Sequence, residues 1–238
     1  ESESSFLGKK NIERRYEHIY KESHKVVVPS MDVGLESMEL WGVKESKLEV
    51  IPYISLLRDT DTMKTPVGID ITIPFFLYDG VLGTESKILD ILKWYELYRE
   101  NGWTNNLIIH GYFSEELSNV IQIIRTLDLT DSVKIVWVLS KEERVWLYRN
   151  AEAWVMLSSY YSAGPAIEMA YSTWMPLILS DIAISRSYSD IRIHPNHIIT
   201  ELPPILKRFE NKIVREKSRE YTEKDIMTAY KNYLSESF

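Results

Sequence analysis

The chain has 238 residues, a formal net charge of -7, 45% hydrophobic and 26% charged residues and no cysteine. That is a globular mix, long enough to bury a core in one large or two small domains. The acidic balance offers no global field for a nucleic-acid backbone, and the missing cysteines exclude disulfides, thiolate catalysis and Cys-ligated metals. No apolar run approaches the roughly 20 residues of a membrane span, and no charged-then-apolar leader stands at the start, so the expectation is a soluble, cytoplasmic chain without a transmembrane span. It opens on Glu1 rather than Met, which reads as a processed chain or a piece of a longer one.

In chain order, the first segment predicts a helix, a strand at Lys25–Val28, a helix at Val33–Trp41 and a strand around Leu48–Ile51. Ser55 to Gly68 is polar and irregular, and reads as a linker. From Pro74 onward, short β-rich runs alternate with amphipathic segments. Strands are predicted at Phe75–Asp79, Leu107–His110, Val133–Val138, Ala153–Leu157 and Leu177–Ser180. Helices are predicted near Ser86–Arg99, Ser114–Leu127, Lys141–Asn150 and Pro165–Trp174. Leu117, Val120, Ile121, Ile124 and Leu127 form a helical stripe that would face a sheet. This alternation predicts an α/β fold, a doubly wound parallel sheet, because parallel neighbours need right-handed crossovers. Pro203–Glu216 and Tyr221–Leu234 read as two closing helices, and no internal repeat is present.

Ligands of such sheets bind outside the carboxyl ends of the strands. Of the loops that fall there, Ser158 to Gly164 carries the strongest signal. Pro165 suits the first position of a helix, and the amides of Gly164, Ala166 and Ile167 would then face an anion such as a diphosphate. Glu168, one turn in, could hydrogen-bond vicinal hydroxyls. The plainer alternative is an ordinary helix start with a first-turn acid favoured by the dipole. Of the five histidines, only His194 and His197 are near-spaced, and that pair alone is short of a metal-ligand set, so no metal site is expected. Trp146 and Trp154 fall on predicted core faces, whereas Tyr160 and Tyr161 stand at the loop mouth.

Several stretches together resemble the donor-binding half of the retaining, two-Rossmann-domain (GT-B) nucleotide-sugar glycosyltransferases of group 1. "FFLYDGVLGTESKILDIL" is similar to that family's glycine loop and helix, and "LIIHG" to its next strand. "LDLTDSVKIVWVLSKEERVWLYRNAEAWVMLS" is the most specific, with Leu147, Tyr148, Ala151, Ala153 and Ser158 in register. "YYSAGPAIEMAYSTWMPLILSD" resembles the signature loop and the strand after it. The segment from His24 to Pro52 looks like the last strand and helix of the acceptor half.

The resemblance implies that Glu168 grips the nucleotide ribose, that Ser162, Ala163 and Gly164 donate amides to sugar and diphosphate, that Val138 lies where the base is read and that Gly80 lets phosphate approach. Tyr160 stands where the family has its first Glu, and Tyr161 beside it; Val81 stands where it has Arg, and Lys87 falls one place late for its Lys. Thr173 or Trp174 replaces a Gly, with one extra residue before Pro176. The implied organisation is a tail of the acceptor-like domain and linker over 1–66, a donor domain over 67–200 and C-terminal helices over 201–238. The implied function is transfer of a sugar from a nucleotide-diphosphate sugar to a glycan, lipid or protein acceptor, with no cofactor or metal. A missing N-terminal half or an acceptor-domain partner would complete the cleft. An alternative of another class is a non-catalytic GT-B-like subunit that binds a partner protein or only a nucleotide; a GT-B-fold epimerase is a third.

Overall fold

A computed structural model describes residues 15–55, 57–58, 60–83, 86–112, 116–158, 165–188, 191–194, 196–206, 227–228 and 231. The chain divides into two units, Glu1–Tyr53 with Tyr221–Phe238, and Ile54–Glu220.

In the first unit, residues 15–22 form helix α1, followed by strand β1 (Val26–Val28), helix α2 (Met31–Trp41) and strand β2 (Leu48–Val50), with β1 and β2 parallel. The Ser30 hydroxyl accepts the Val33 amide at 3.3 Å. This cap satisfies a donor that the helix start leaves unpaired, and α2 begins two residues before the predicted Val33. Gly42, in the left-handed region at φ 66, ends it. Gly34 faces the strands, where a Cβ would meet Leu48 at 3.4 Å and Val28 at 3.5 Å, ordinary contact distances. Tyr16 and Tyr20 of α1 pack their rings against Trp41 of α2, and Lys47 Nζ donates to the Lys21 carbonyl at the end of α1 at 2.7 Å.

The second unit runs β3 (Phe75–Val81), α3 (Ile88–Glu100), β4 (Asn106–Tyr112), α4 (Leu117–Thr126), β5 (Val133–Val136), α5 (Lys141–Asn150), β6 (Ala153–Met156), α6 (Pro165–Ser172), β7 (Leu177–Ser180), α7 (Ala183–Arg186), β8 (Arg192–Ile193) and α8 (Ile198–Leu206). Its six strands form one parallel sheet in the order β5-β4-β3-β6-β7-β8. This is the predicted doubly wound α/β fold. Side-chain alternation divides its two faces. Phe76 and Tyr78 of β3 with Leu107 and Ile109 of β4 join the core built on α3, α4 and α8, in which Phe76, Trp94 and Tyr98 interlock. Phe75 and Asp79 point the other way, toward α5, where Trp146 stacks on Phe75 at 5.7 Å. Trp154 is fully buried.

The differences from the predicted elements have local causes. Strand β4 runs to Tyr112 because Gly111 continues the pairing with β3. Helix α6 ends at Ser172, followed by a turn in which Trp174 takes a left-handed φ of 64; of the two residues proposed for the glycine's place, it is Trp174 that adopts the conformation glycine favours. Elements β8 and α7 span two and four residues, too short to leave a periodic signal. The first closing helix starts at Ile198 rather than Pro203; its expected part beyond Leu206 lies outside the described residues, as does most of the second.

The stretch expected to be a linker is bound to the second unit. Asp61 accepts Lys141 Nζ at 2.6 Å and the Arg58 amide at 2.8 Å, Arg149 donates to the carbonyls of Arg58 and Asp61, and the Lys64 amide donates to the Glu142 carbonyl at 3.1 Å. Ser55 and Ser172 share a hydroxyl hydrogen bond at 2.8 Å.

Candidate functional site

The strand order reverses between β3 and β6, and the crevice outside their carboxyl ends is where a doubly wound sheet takes its ligand. Strand β3 ends there in Gly80 and Val81. Gly80 pairs with Gly111 of β4, and a Cβ on Gly111 would stand 2.6 Å from the Gly80 carbonyl oxygen. No side chain fits at Gly111 unless the backbone moves. The Tyr78 hydroxyl lies 3.2 Å from where a Gly80 Cβ would be and donates to the Val81 carbonyl at 2.7 Å. This bond closes the turn, and burial raises the Tyr78 phenol to about 12.

Lys87 caps the start of α3 in the left-handed region, φ 56, a conformation that costs a non-glycine residue about 1–2 kcal/mol. It borders a cleft of about 290 Å³ shared with Gly83, Asp90, Lys93 and Glu116. Val81 is half exposed at the strand end, and Val138 is 89% exposed between β5 and α5. Glu168 lies in the first turn of α6 and is buried. Gly80, Lys87, Val138 and Glu168 thus lie at strand ends or helix starts of one sheet. Tyr160, Tyr161, Ser162, Ala163 and Gly164 lie outside the described residues.

Sequence reasoning missed a charged cluster under the β3 turn. Asp79, paired in register with His110 on β4, receives His110 Nδ1 on Oδ1 at 2.9 Å. On Oδ2 it accepts Arg144 Nε at 3.2 Å, Arg144 Nη2 at 2.9 Å and the Tyr148 hydroxyl at 2.6 Å, all from α5. Burial alone would raise the Asp79 carboxyl; the His110 hydrogen bond, the charge of Arg144 and the Tyr148 hydroxyl outweigh it and hold the group below its ordinary value. Asp79 is therefore ionised, and the proton of that contact sits on His110 Nδ1. The same carboxylate adds to burial in pushing the Tyr148 phenol well up. The missed signal was a titratable residue just before the strand-ending glycine in both "LYDG" and "LIIHG", inside runs otherwise apolar.

No protein-family model and no curated protein sequence matches the chain. Solved structures do. TarM, from S. aureus, is 14% identical with a TM-score of 0.70, over 94% of this chain and 45% of its own. Sucrose-phosphate synthase from Thermosynechococcus elongatus is 15% identical with a TM-score of 0.67, over 84% of this chain and 53% of its own. A glycosyltransferase from Rickettsia africae ESF-5 is 15% identical with a TM-score of 0.63, over 94% of this chain and 62% of its own. The chain thus spans between about half and three-fifths of the length of these proteins. What they share with it is the fold, and the chain is a Rossmann-like α/β protein with the fold seen in the GT-B glycosyltransferases.

Proposed function

We propose that the chain supplies the donor-binding part of a retaining glycosyltransferase that takes its sugar from a nucleotide diphosphate. What supports this reading is that Gly80, one residue before the end of β3, and a buried acid, Glu168, in the first turn of α6, both follow from the strands beside the switch in strand order. In this reading Glu168 accepts the ribose hydroxyls, and the amides of Ser162, Ala163 and Gly164 meet sugar and diphosphate with the positive end of the α6 dipole behind them. The backbone at Val138 meets the base. Gly80 gives the phosphates room, Lys87 supplies positive charge, and Tyr160 and Tyr161 offer hydroxyls to the sugar. TarM is solved with UDP and alpha-GlcNAc-glycerol, and GtfA with UDP and GlcNAc, which supports a nucleotide donor. Departure of the diphosphate is helped by helix-end dipoles and cations, and the acceptor, a glycan, lipid or protein, attacks from the same face. Residues 1–66 belong in this reading to the tail of an acceptor half that lies elsewhere.

Calorimetry of the full chain with UDP-, GDP- and ADP-sugars tests it. One of them binds, and Glu168→Ala weakens that binding about tenfold or more, the worth of a charge-assisted hydrogen bond of about 1.5–3 kcal/mol. Unchanged affinity removes Glu168 from the site. No binding of any of the three removes the donor reading and leaves a non-catalytic subunit.

A further inference from the structure

We infer that Asp79 and Arg144 are positioning residues of the donor site, their ion pair fixing the β3 turn against the β5–α5 loop. The inference rests on the donor reading, which assigns that turn to the diphosphate and that loop to the base. It is carried by how the pair is built. Asp79 directly precedes Gly80, and Arg144 lies in the first turn of α5, whose start is locked to the loop by a reciprocal cap: Ser140 Oγ accepts the Glu143 amide at 3.2 Å, and Glu143 Oε2 accepts the Ser140 amide at 2.9 Å.

Strands β3 and β5 are not neighbours, since β4 lies between them. The Asp79 carboxylate joins β3 to β4 and α5: one oxygen takes His110 of β4, the other takes Arg144 and Tyr148 of α5. Arg144 Cζ also lies over the Tyr148 ring at 5.9 Å, so the guanidinium is held by a carboxylate and an aromatic face together. The guanidinium is part exposed and the carboxylate buried, with 28% and 3% of their side-chain surfaces open. The pin is therefore anchored inward, with the guanidinium left partly open to solvent.

A nucleoside diphosphate must reach both elements at once, whereas a monophosphate depends mainly on base and ribose. Loosening the pin leaves each element able to bind its own half but removes their set spacing, so the affinity gained from the second phosphate falls. The test is calorimetry on the full chain with UMP and UDP, GMP and GDP, and AMP and ADP, for wild type, Arg144→Met and Arg144→Lys, beside each protein's thermal midpoint. For the base that wild type prefers, Arg144→Met loses about tenfold or more of the preference for diphosphate over monophosphate. Arg144→Lys recovers part of it, because an ammonium keeps the charge but not the two-bond fork. A folded Arg144→Met with an unchanged ratio, whatever its midpoint, overturns the inference. Should Arg144→Met fail to fold, Arg144→Lys decides it by the same ratio. A wild type that binds no nucleotide removes the donor reading and this inference with it, a result distinct from binding with an unmoved ratio.

Discussion

On its inner side helix α5 gives Arg144 and Tyr148 to a buried carboxylate, Asp79; on its outer side it gives Lys141 and Glu143 to Asp61 and Lys64, where the lysine side chains are 60% and 65% exposed and the carboxylate ends 11% and 12%. The contact distances do not rank the two sides, since the outer Lys141–Asp61 pair is the shorter, 2.6 Å against 2.9 Å for Arg144–Asp79. Water ranks them. A pair whose cation stands in solvent gains little because water already screens it, whereas Asp79, with its cation also largely covered, has exchanged hydration for the groups around it, and losing either side leaves the other stranded. The inner side holds three elements together at the candidate site. The outer side lies along a stretch already anchored through the carbonyls of Arg58, Asp61 and Glu142.

The contrast is broken most directly by removing the inner carboxylate. Asp79→Ala leaves Arg144 without its partner and strands His110 Nδ1 and the Tyr148 hydroxyl, and costs about 3–5 kcal/mol in chemical denaturation. Acid sharpens it. Because the folded-state Asp79 carboxyl lies below its ordinary value, its contribution is fully present above the unfolded-state range near pH 4 and is lost as pH falls through the folded value. The stability gap between wild type and Asp79→Asn stays level from neutral pH down to about 4 and narrows below it. A gap that widens on acidification contradicts an ionised Asp79.

The next effect is smaller. Tyr148→Phe keeps the ring under Arg144 and deletes a single donor to the ionised oxygen, so it costs about 1.5–3 kcal/mol, the range of a hydrogen bond to a charged group. It also frees the site of a phenol whose ionisation is pushed far up by burial and by the nearby carboxylate. A loss as large as that of Asp79→Ala would mean that the Tyr148 hydroxyl, rather than Arg144 and His110, supplies most of what holds the carboxylate.

The inner side was the part least legible in the sequence, although the helix that carries it was predicted at its observed bounds, Lys141–Asn150. Alternating apolar runs reveal a parallel sheet because strands buried on both faces are largely apolar, and β3, β4, β6 and β7 are so apart from Asp79, His110 and the polar ends Asn106 and Ser180. Pairing across strands leaves no such trace. That Asp79 meets His110 follows from the β3–β4 register, and that Arg144 and Tyr148 reach the same oxygen follows from which sheet face α5 covers; neither is encoded by spacing along the chain. Lys87 and Trp174 show the reverse limit. Their left-handed backbone is what glycine would signal, and with Lys and Trp there the turn is invisible to composition. The stretch from Ser55 to Gly68 reads as a linker for its polar residues, yet those same residues bind it to α5 and α6.

The smallest effect belongs to the outer side. Lys141→Met removes the Asp61 ion pair but keeps the apolar stem along the helix, and the backbone bonds from Arg149 and the Lys64 amide remain. The hydrogen bond from Lys141 is the first of the influences that hold the Asp61 carboxyl below its ordinary value, so the substitution moves that carboxyl back toward the usual range, a change that NMR titration of Asp61 reads directly. Its effect on the denaturation midpoint is close to the error of the measurement and fades further as salt rises, because exposed charges are screened over about 10 Å at 0.1 M. A large loss that salt leaves untouched would show that the outer pair is shielded from solvent, and the distinction between the two sides of α5 would fail.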